Sequence, residues 1–590
     1  MPSHPESMSQ TRLSRVMNAL SENRRYAFQL GAALVPVAFA FWTLLRLVVA
    51  ARGVPDLDYW SIFPSILRDD GWNITLGTLY HKSNEHIVVL AKLFYLLNFK
   101  LTGGDNFGLS ATAICFSLVI ATVFACVVAR DARSLPQSIA LGVVVAACSF
   151  STMAAHNYLI GMSGVAWIGA NLFMVLAVAA VAVAQHRDSF GWYGAGLLLA
   201  ILATQSYSTG LLAPCAIAVQ CLVVPKSRRI GFVLATLGIA YILLIYVLQD
   251  VPSGHADRTS NPARLATFGL TFIGGGLTSV KQQALVWGAA GTAVFLLLAW
   301  RCARSAHGQL PAGAFWIAVA SYALMNSGIA AIGRAGMGGD GAALASRYAS
   351  IPALFWVGLA GLGLHLASRR TDAWATGSVR GIVLLSLVGA CTLVMSGMAR
   401  IEPLLVRAQG KDLAALSMWL DVSDSSIMKK HVTSVPGQVY RAIPGLRTIG
   451  HVPFDGRFSQ CPRIGEQLPT VHRPTIAGHV DAASRVPNGW YLVRGWALDT
   501  ARPEPPAPMR GLRGAYRCVA LTDDSGKVVG LALGAQERPD VAKAYNRGRS
   551  DYGWAGYARA PRDVATLLHA MIQDEATGRW VRLPHTLEVR

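Results

Sequence analysis

Charged residues and the short motifs of familiar enzyme classes are both scarce in this chain. Of its 590 residues, 14% are charged and 53% are hydrophobic, which is too apolar for an ordinary water-soluble enzyme. The motifs GxxxxGK[ST], HExxH, CxxC and GxSxG are absent, so nucleotide hydrolysis, zinc proteolysis and hydrolase-type acyl transfer have no support. These absences indicate an integral membrane protein that uses none of the standard short motifs.

Acidic residues are fewer than basic ones, 32 against 52, which gives a formal net charge of +20. The basic residues are scattered and form no stripe of the kind that a phosphate backbone requires. Nucleic acid is therefore not an expected partner. Basic loops that set membrane topology and attract anionic lipid explain the charge more simply.

Eleven apolar runs are long enough to cross a bilayer of about 30 Å, which predicts a polytopic α-helical membrane protein with about 11 transmembrane helices. Two further runs, at 87–101 and at 264–280, are expected to lie at the interface or to re-enter the membrane. The eleven runs lie near residues 28–50, 107–129, 137–155, 165–185, 192–209, 211–224, 230–249, 284–300, 312–331, 349–367 and 379–398.

The distribution of Lys and Arg predicts the orientation of these spans. With residues 1–27 as a polar cytoplasmic tail, not a cleavable signal peptide, every loop on the inner side is basic, as the positive-inside rule requires. An odd number of spans then places the chain after residue 398 outside. Residues 28–398 form the expected transmembrane domain.

The exterior part divides into a partly helical connector, residues 399–471, and a small β-rich domain, residues 472–590. Strand-like alternation in NGWYLVRGWALD and in YRCVALTDDSGKVVGLALG predicts strands, and DDSG predicts the turn of a hairpin. Seven of the nine cysteines lie in or beside apolar runs. Cys461 and Cys518 lie outside them, and whether they pair in an oxidising compartment is left open.

The first exterior loop, 51–106, is the longest loop of the membrane half, and long loops are usually functional. Any one of its polar residues is explained by solvation, but their mixture suits a polar substrate at a membrane surface. It contains carboxylates, imidazoles and aromatic rings, among them Asp56, Asp58, Tyr59, Trp60, His81, Glu85 and His86.

A second group of candidates lies in the Gly-rich segment 331–352, which contains Arg334, Arg347 and Tyr348. An Arg fork can hold phosphate oxygens in a bidentate manner, although both arginines could instead extend to the membrane interface. His156 and Asn157 stand at the exterior end of another span. Helix–helix hydrogen bonding explains them as well as substrate contact does.

The order DxDYW, NEH, GGDN, HNYLIG, GRxG and SRY resembles the GT-C-type superfamily of multi-spanning glycosyltransferases, which use lipid-phosphate-linked sugars, and within it a group of bacterial envelope proteins. The motifs RGWALD and ERPDVA resemble a β-domain appended to some members. The resemblance implies a location in the inner membrane of a bacterium, with the β-rich domain, residues 472–590, in the periplasm. It also implies inverting transfer of a sugar from polyprenyl phosphate to a hydroxyl of a glycan, lipid or protein. The chain departs from the pattern of the protein mannosyltransferases, which belong to this superfamily, because no adjacent Asp-Glu pair follows its first span.

The resemblance implies roles for the candidates. Asp58 is the expected general base, with Asp56 orienting or replacing it; Arg334, Arg347 and Tyr348 would hold the donor phosphate. Tyr59, Trp60, His81, Glu85, His86, His156 and Asn157 would contact substrate. Asp56 and Asp58 would point to one side if the segment after Pro55 is extended. No cofactor is expected; a divalent metal ion bridging Asp56 and Asp58 is compatible with the mechanism but not required, and none is predicted.

Two functions of other classes remain open. One is a transporter or flippase for a lipid-linked or anionic saccharide, which should place ionisable residues in the middle of spans. The other is an envelope scaffold whose β-domain binds glycan. The concentration of ionisable residues at exterior span ends, with Arg46 as the main exception, favours chemistry at the membrane surface.

Overall fold

The chain folds into two compact units. Among the described residues, one unit consists of parts of 38–45, 113–157 and 165–401, and the other of parts of 46–112, 158–164 and 404–589. The expected tail 1–27 lies outside the described residues. A computed structural model describes residues 38–81, 86–131, 135–248, 259–305, 311–336, 340–368, 388–389, 392–398, 401, 404, 410–501, 518–548, 550–560, 565–574 and 577–589.

Helices dominate the chain up to residue 449. In order they are α1 (Ala38–Ala50), α2 (Tyr59–Ile62), α3 (Leu76–Tyr80), α4 (Val89–Thr102), α5 (Asn106–Asp131), α6 (Leu135–Ser149), α7 (Ala155–Leu159), α8 (Gly161–Ser163), α9 (Gly169–Arg187), α10 (Phe190–Ser206), α11 (Ala213–Val223), α12 (Arg228–Leu248), α13 (Pro262–Gly274), α14 (Lys281–Arg304), α15 (Pro311–Arg334), α16 (Ser350–Ser368), α17 (Lys411–Trp419), α18 (Ser425–His431) and α19 (Pro436–Ile449). The strands Leu67–Arg68 (β1) and Gly71–Trp72 (β2) form a small antiparallel pair between α2 and α3.

Seven helices within the described ranges are long and apolar enough to cross a membrane. They are Asn106–Asp131, Gln137–Leu159, Gly161–Arg187, Pro225–Leu244, Lys281–Arg304, Pro311–Arg334 and Ser350–Ser368, and each overlaps one of the eleven predicted runs. The run at 192–209 corresponds to the 17-residue helix α10, and the run at 211–224 to a shorter apolar helix, Ser208–Val223. The runs at 28–50 and 379–398 are described only in part.

The helices of the first unit approach closely where small residues face a neighbour, as is usual in membrane bundles. A Cβ added to Gly358 of α16 would lie 2.9 Å from the backbone nitrogen of Ala320 in α15. Gly274 of α13 and Gly288 of α14 leave no room for a side chain, because each Cα faces the backbone of the other helix. Packing of this kind needs no buried polar pairs.

The two runs expected at the interface both contain helices. Helix α4 covers most of residues 87–101 and ends at Gly103, whose φ of 68° gives a left-handed cap, a conformation that glycine adopts without strain. Helix α13 begins after Asn261, whose side chain accepts hydrogen bonds from the amides of Ala263 and Arg264. It ends at Gly274, the first residue of the GGG segment.

The C-terminal part of the second unit is a seven-stranded antiparallel sheet in the order β3-β4-β7-β6-β5-β8-β9. The two edge strands meet, since a Cβ on Gly478 of β3 would lie 2.8 Å from the side chain of Leu583 in β9, so the sheet curls into a barrel-like form. Its core includes Val480, Val493, Leu521, Trp554 and Leu568. The strands are β3 (Ile476–Val486), β4 (Trp490–Asp499), β5 (Cys518–Thr522), β6 (Val528–Gln536), β7 (Gly553–Arg559), β8 (Thr566–Gln573) and β9 (Trp580–Val589), with helix α20 (Pro539–Ala544) after β6.

The predicted hairpin at DDSG is confirmed, because β5 pairs with β6 across Asp523 to Lys527. The other face of this part of the sheet is covered by the helices that precede it: α17 is buried along most of its length and packs against β6 and β7. The hydroxyl of Tyr557 in β7 donates to the Asp424 carboxylate, 3.0 Å away, at the start of α18. Strand β7 is therefore buried on both faces.

Candidate functional site

The DLDYW segment forms a turn. Leu57 has a φ of 53°, and its amide donates to the carbonyl of Val432 at 2.8 Å. The extended geometry that would aim Asp56 and Asp58 to one side is therefore wrong for this segment. Asp56 is fully buried and ion-paired with the buried Lys411, whereas Asp58 is exposed and stands at the start of α2.

Tyr59 and Trp60, the aromatic neighbours of Asp58, are buried side chains. The Tyr59 ring stacks on Phe63 with centroids 4.9 Å apart, and the Trp60 indole nitrogen donates to the carbonyl of Pro55 at 2.9 Å. These contacts fix the turn on both sides of Asp58. In this structure the rings of Tyr59 and Trp60 stabilise the turn.

The centre of this aromatic support is His451. Its Nδ1 lies 2.7 Å from the carbonyl of Val452 and therefore carries the proton, so Nε2 accepts from the Tyr59 hydroxyl at 2.8 Å. Burial lowers the pKa of His451 to about 4 and raises the pKa of Tyr59 well above its usual value. Both groups are consequently neutral at physiological pH, as this hydrogen bond requires.

The GGDN segment, 103–106, connects this support to the rest of the second unit. Gly104 has a φ of 86° and lies against the His451 ring, where a Cβ would collide. The Asp105 carboxylate accepts from the Gly53 amide at 3.0 Å and from Arg457 at 3.1 Å. These intramolecular contacts hold the GGDN segment as a turn.

Asn106, the last residue of that segment, bridges three stretches of chain. Its amide nitrogen donates to the carbonyls of Ala51 and Leu159, both at 2.8 Å, and its oxygen accepts from the Gly161 amide at 3.0 Å. A Cβ at Gly161 would collide with Leu109. Packing and hydrogen bonding thus account for Leu159 and Gly161 of the HNYLIG motif.

The remaining loop candidates have separate surroundings. His81 is exposed and His86 is half-buried, while Glu85 lies outside the described residues. The buried Lys92 of α4 donates to the carbonyls of Thr78, Leu79 and His81 at 2.8, 3.1 and 2.8 Å, which closes the end of α3. Burial lowers the pKa of Lys92 to about 8.

In the first unit, two predicted segments that are far apart in sequence meet. The Asn157 side chain donates to the carbonyl of Arg347 at 3.0 Å, across a separation of 190 residues, and the His156 amide donates to Ser346 at 3.3 Å. The Arg347 guanidinium lies over the Tyr348 ring, 5.1 Å from its centroid. We call His156, Asn157, Ser346, Arg347 and Tyr348 the arginine cluster.

The arginine cluster is backed by aromatic rings. Tyr348 is buried and packs against Trp167 and Phe272, with centroids 5.2 and 5.6 Å apart, while Arg347 and His156 are half-exposed. Arg334 is the half-buried last residue of α15. Because Tyr348 is fixed from behind, its ring holds the Arg347 guanidinium in a cation–π contact.

No family model, curated protein or solved structure matches this chain.

In the part of the chain that the structure describes, no group of three or more His, Cys, Asp or Glu side chains is placed to hold a metal ion.

Cys461 and Cys518 form a disulfide, with their Cα atoms 5.5 Å apart. The question that the sequence left open about these two cysteines is therefore answered.

Sequence reasoning missed three residues that support the DLDYW turn: Lys411, His451 and Arg457. Each comes from the connector, more than 350 residues after the turn, and none belongs to a motif. The signal nearest to one of them is the GG of GGDN, because two adjacent glycines with positive φ leave room for a ring. Nothing in the sequence identifies that ring as His451.

Proposed function

We propose that this protein is a membrane glycosyltransferase. It transfers a sugar from a polyprenyl-phosphate donor to an acceptor hydroxyl on the periplasmic face of the bacterial inner membrane, with inversion at the anomeric carbon. Asp58 is the general base, and binding of the donor phosphate by Arg334 and Arg347 stays a prediction from the sequence. The acceptor is a glycan, a lipid or a protein.

The observation that carries the proposal is the contrast between Asp58 and its surroundings. A buried ion pair at Asp56, a hydrogen-bonded ring at Tyr59 and a buried indole at Trp60 fix a turn on which Asp58 alone among these four residues is exposed. A reactive group held by rigid neighbours is the arrangement that general base catalysis requires. Asp56 is unsuited to this role, because Lys411 holds its charge and no water reaches it.

The proposed transfer reaction begins with proton transfer to Asp58. The carboxylate takes the proton of the acceptor hydroxyl, whose oxygen forms a bond to the anomeric carbon from the side opposite the phosphate. The bond between that carbon and the phosphate oxygen breaks, and polyprenyl phosphate leaves with the electron pair. The phosphate carries the charge that develops, and an arginine fork is the kind of group that can stabilise it.

The disulfide supports an exterior location for the second unit. Cys461 and Cys518 are paired, and disulfides persist in oxidising compartments such as the periplasm. The six other cysteines in the described ranges form no disulfide and lie in helices of the first unit. The disulfide supports the proposed exterior location of the chain after residue 398 and does not bear on the rest of the topology.

The test is a comparison of surface glycans by mass spectrometry in cells that express the chain or its variants. Asp58→Asn should reduce the transferred sugar about a hundredfold or more, since a general base contributes about 10² to 10⁴ in rate. Asp70→Asn is the matched control, an exposed carboxylate of the same loop, and should leave transfer unchanged. All variants are compared at equal amounts of folded protein in the membrane.

Retained transfer in Asp58→Asn would contradict the assignment of the base, and a glycan profile unchanged by loss of the whole chain would contradict the proposed function. Asp56→Asn is expected to lower the amount of folded protein, because it leaves the buried Lys411 without its counter-charge. That outcome separates the supporting role of Asp56 from the catalytic role of Asp58.

Transport of a lipid-linked saccharide is a second candidate, favoured by one observation in the first unit. Asp131 and His365 form a buried pair, with His365 Nδ1 2.8 Å from both carboxylate oxygens, and buried ionisable groups in membrane helices often mark a transport path. Asp131, however, ends α5 and His365 lies in the last turn of α16. A pair at helix ends suits a link between the two helices better than a path through them.

A further inference from the structure

Four rings lie in a row on the outer face of the sheet, across β9, β3, β4 and the end of α20. The centroids of His585 and His479 are 4.7 Å apart, and those of Trp496 and Tyr545 are 5.7 Å apart. His479 and Trp496 are direct partners in the β3–β4 register, so their side chains share one face. We call His585, His479, Trp496 and Tyr545 the ring row.

The ring row is accessible to a ligand. Tyr545 is 39% exposed, the His479 side chain is 44% exposed, and His585 is exposed as well. On the side away from His479, Trp496 has Gly553 of β7 as its register partner. A glycine at that position has no side chain that could cover the indole.

Charged groups stand beside the rings at a place where the strand is irregular. The register of β3 and β4 shifts between Val480 and Ala482, so Asp481 is the extra residue of a bulge, a feature that redirects a side chain. Its carboxylate contacts Arg538 and lies 3.3 Å from His479 Nδ1. Arg538 also binds Asp540, at 2.7 Å, so carboxylates flank one guanidinium next to the row.

This combination suits one class of ligand. A pyranose ring has an apolar face of C–H groups, which packs against aromatic rings, and an edge of hydroxyls, which hydrogen-bond to carboxylates and guanidinium groups. Successive sugars in a polymer repeat this pattern along a line. A protein partner would instead require a contiguous apolar centre, which the ion pairs beside the ring row interrupt.

We propose that the ring row is a binding site for a neutral polysaccharide. The rings of Trp496 and Tyr545 pack against sugar faces, and Asp481, Arg538 and Asp540 bind hydroxyls at the edge. The site is distinct from Asp58 and from the arginine cluster, and binding there does not depend on the transfer reaction. Its effect is to hold a glycan chain at the second unit.

The experiment uses the full chain in lipid nanodiscs and measures its affinity for dextran, mannan and galactan by biolayer interferometry, with polygalacturonate as an anionic comparison. The wild-type chain should bind at least one neutral polymer with a Kd in the millimolar range or below. Tyr545→Ala and Trp496→Ala should each weaken that binding about tenfold, the value of one aromatic contact. Tyr545→Phe keeps the ring and should retain most of the affinity.

Trp580→Ala is the matched control, because Trp580 is a half-exposed tryptophan of the same sheet that lies outside the ring row. Its affinity should equal that of the wild type. Three results would overturn the proposal: no neutral polymer bound by the wild-type chain, undiminished binding by Tyr545→Ala and Trp496→Ala, or an equal loss in Trp580→Ala. Because the assay contains no sugar donor, its outcome is independent of whether Asp58 catalyses transfer.

Discussion

The two aspartates of the DLDYW turn have opposite surroundings. Asp56 is buried against Lys411 and Asp58 is exposed, although one residue separates them. The difference arises at Leu57, whose positive φ reverses the direction of the chain. Such a conformation is costly for a branched residue, and here the hydrogen bond to Val432 and the surrounding burial stabilise it.

The single residue with the clearest effect on stability is His451. The unfolded chain takes up a proton at an ordinary histidine pKa of 6.5, but the folded chain does so only near pH 4. As the pH falls between these values, the unfolded state binds the proton first and is favoured. The free energy of unfolding should fall by on the order of 3 kcal/mol from this residue.

The measurement is the unfolding midpoint of the purified protein from pH 7 to pH 4, for the wild type and for His451→Gln. The variant should start lower and should lose less stability across this range, because its side chain does not titrate. His472→Gln, at an exposed histidine, is the control and should follow the wild type. Parallel curves for wild type and His451→Gln would disprove the buried neutral imidazole.

Among the elements, the GGDN turn does most to position the DLDYW turn. It ends α4, begins α5, and places Gly104 against His451 while Asp105 and Asn106 reach Gly53 and Ala51. A short sequence motif thereby fixes the ends of two helices and both sides of the first loop. Its composition follows from these contacts, without any ligand.

A pair of glycine variants tests how closely this turn is packed. Gly104 and Gly456 have nearly equal φ values, 86° and 83°, but a Cβ at Gly104 would meet the His451 ring and one at Gly456 would meet nothing within 4 Å. Gly456→Ala should cost about 1 kcal/mol from the backbone alone. Gly104→Ala should cost about 1 to 3 kcal/mol more, through overpacking.

The midpoint of chemical unfolding, measured for both variants, gives the difference directly. Equal losses for Gly104→Ala and Gly456→Ala would mean that the ring is not packed against the turn. In that case the support assigned to His451 would be wrong as well.

The local pattern predicted the elements better than it predicted their contacts. Alternation gave the β5–β6 hairpin at DDSG, and apolar length gave the seven membrane-length helices, because both depend on neighbours in sequence. The contact of Tyr59 with His451 spans 392 residues and that of Asn157 with Arg347 spans 190. No periodicity carries information over such distances.

For the whole molecule, the basic loops predict that the N-terminus is inside and the chain after residue 398 outside. A cysteine introduced at Ser484, exposed on β3, should react with a membrane-impermeant maleimide in intact spheroplasts. A cysteine at His186, exposed at the end of α9 and expected inside, should react only after the membrane is opened. Labelling is corrected for the chain without added cysteine.

Labelling of the His186 position in intact spheroplasts, or protection of the Ser484 position, would contradict this orientation. The proposed placement of Asp58 on the periplasmic face would then be wrong as well. The disulfide between Cys461 and Cys518 agrees with the expected result, because thiols stay reduced in the cytoplasm.

The sequence by itself determined that the chain is a membrane protein with a strand-rich C-terminal part, because hydrophobic length and alternation act locally and need no partner. It also placed the candidates at the ends of apolar runs. The tertiary structure alone decided that Asp56 is buried while Asp58 is exposed, that Asn157 holds Arg347, and that four rings share one face of the sheet. The physical reason is that burial and ion pairing depend on residues distant in sequence, which only the folded chain brings together.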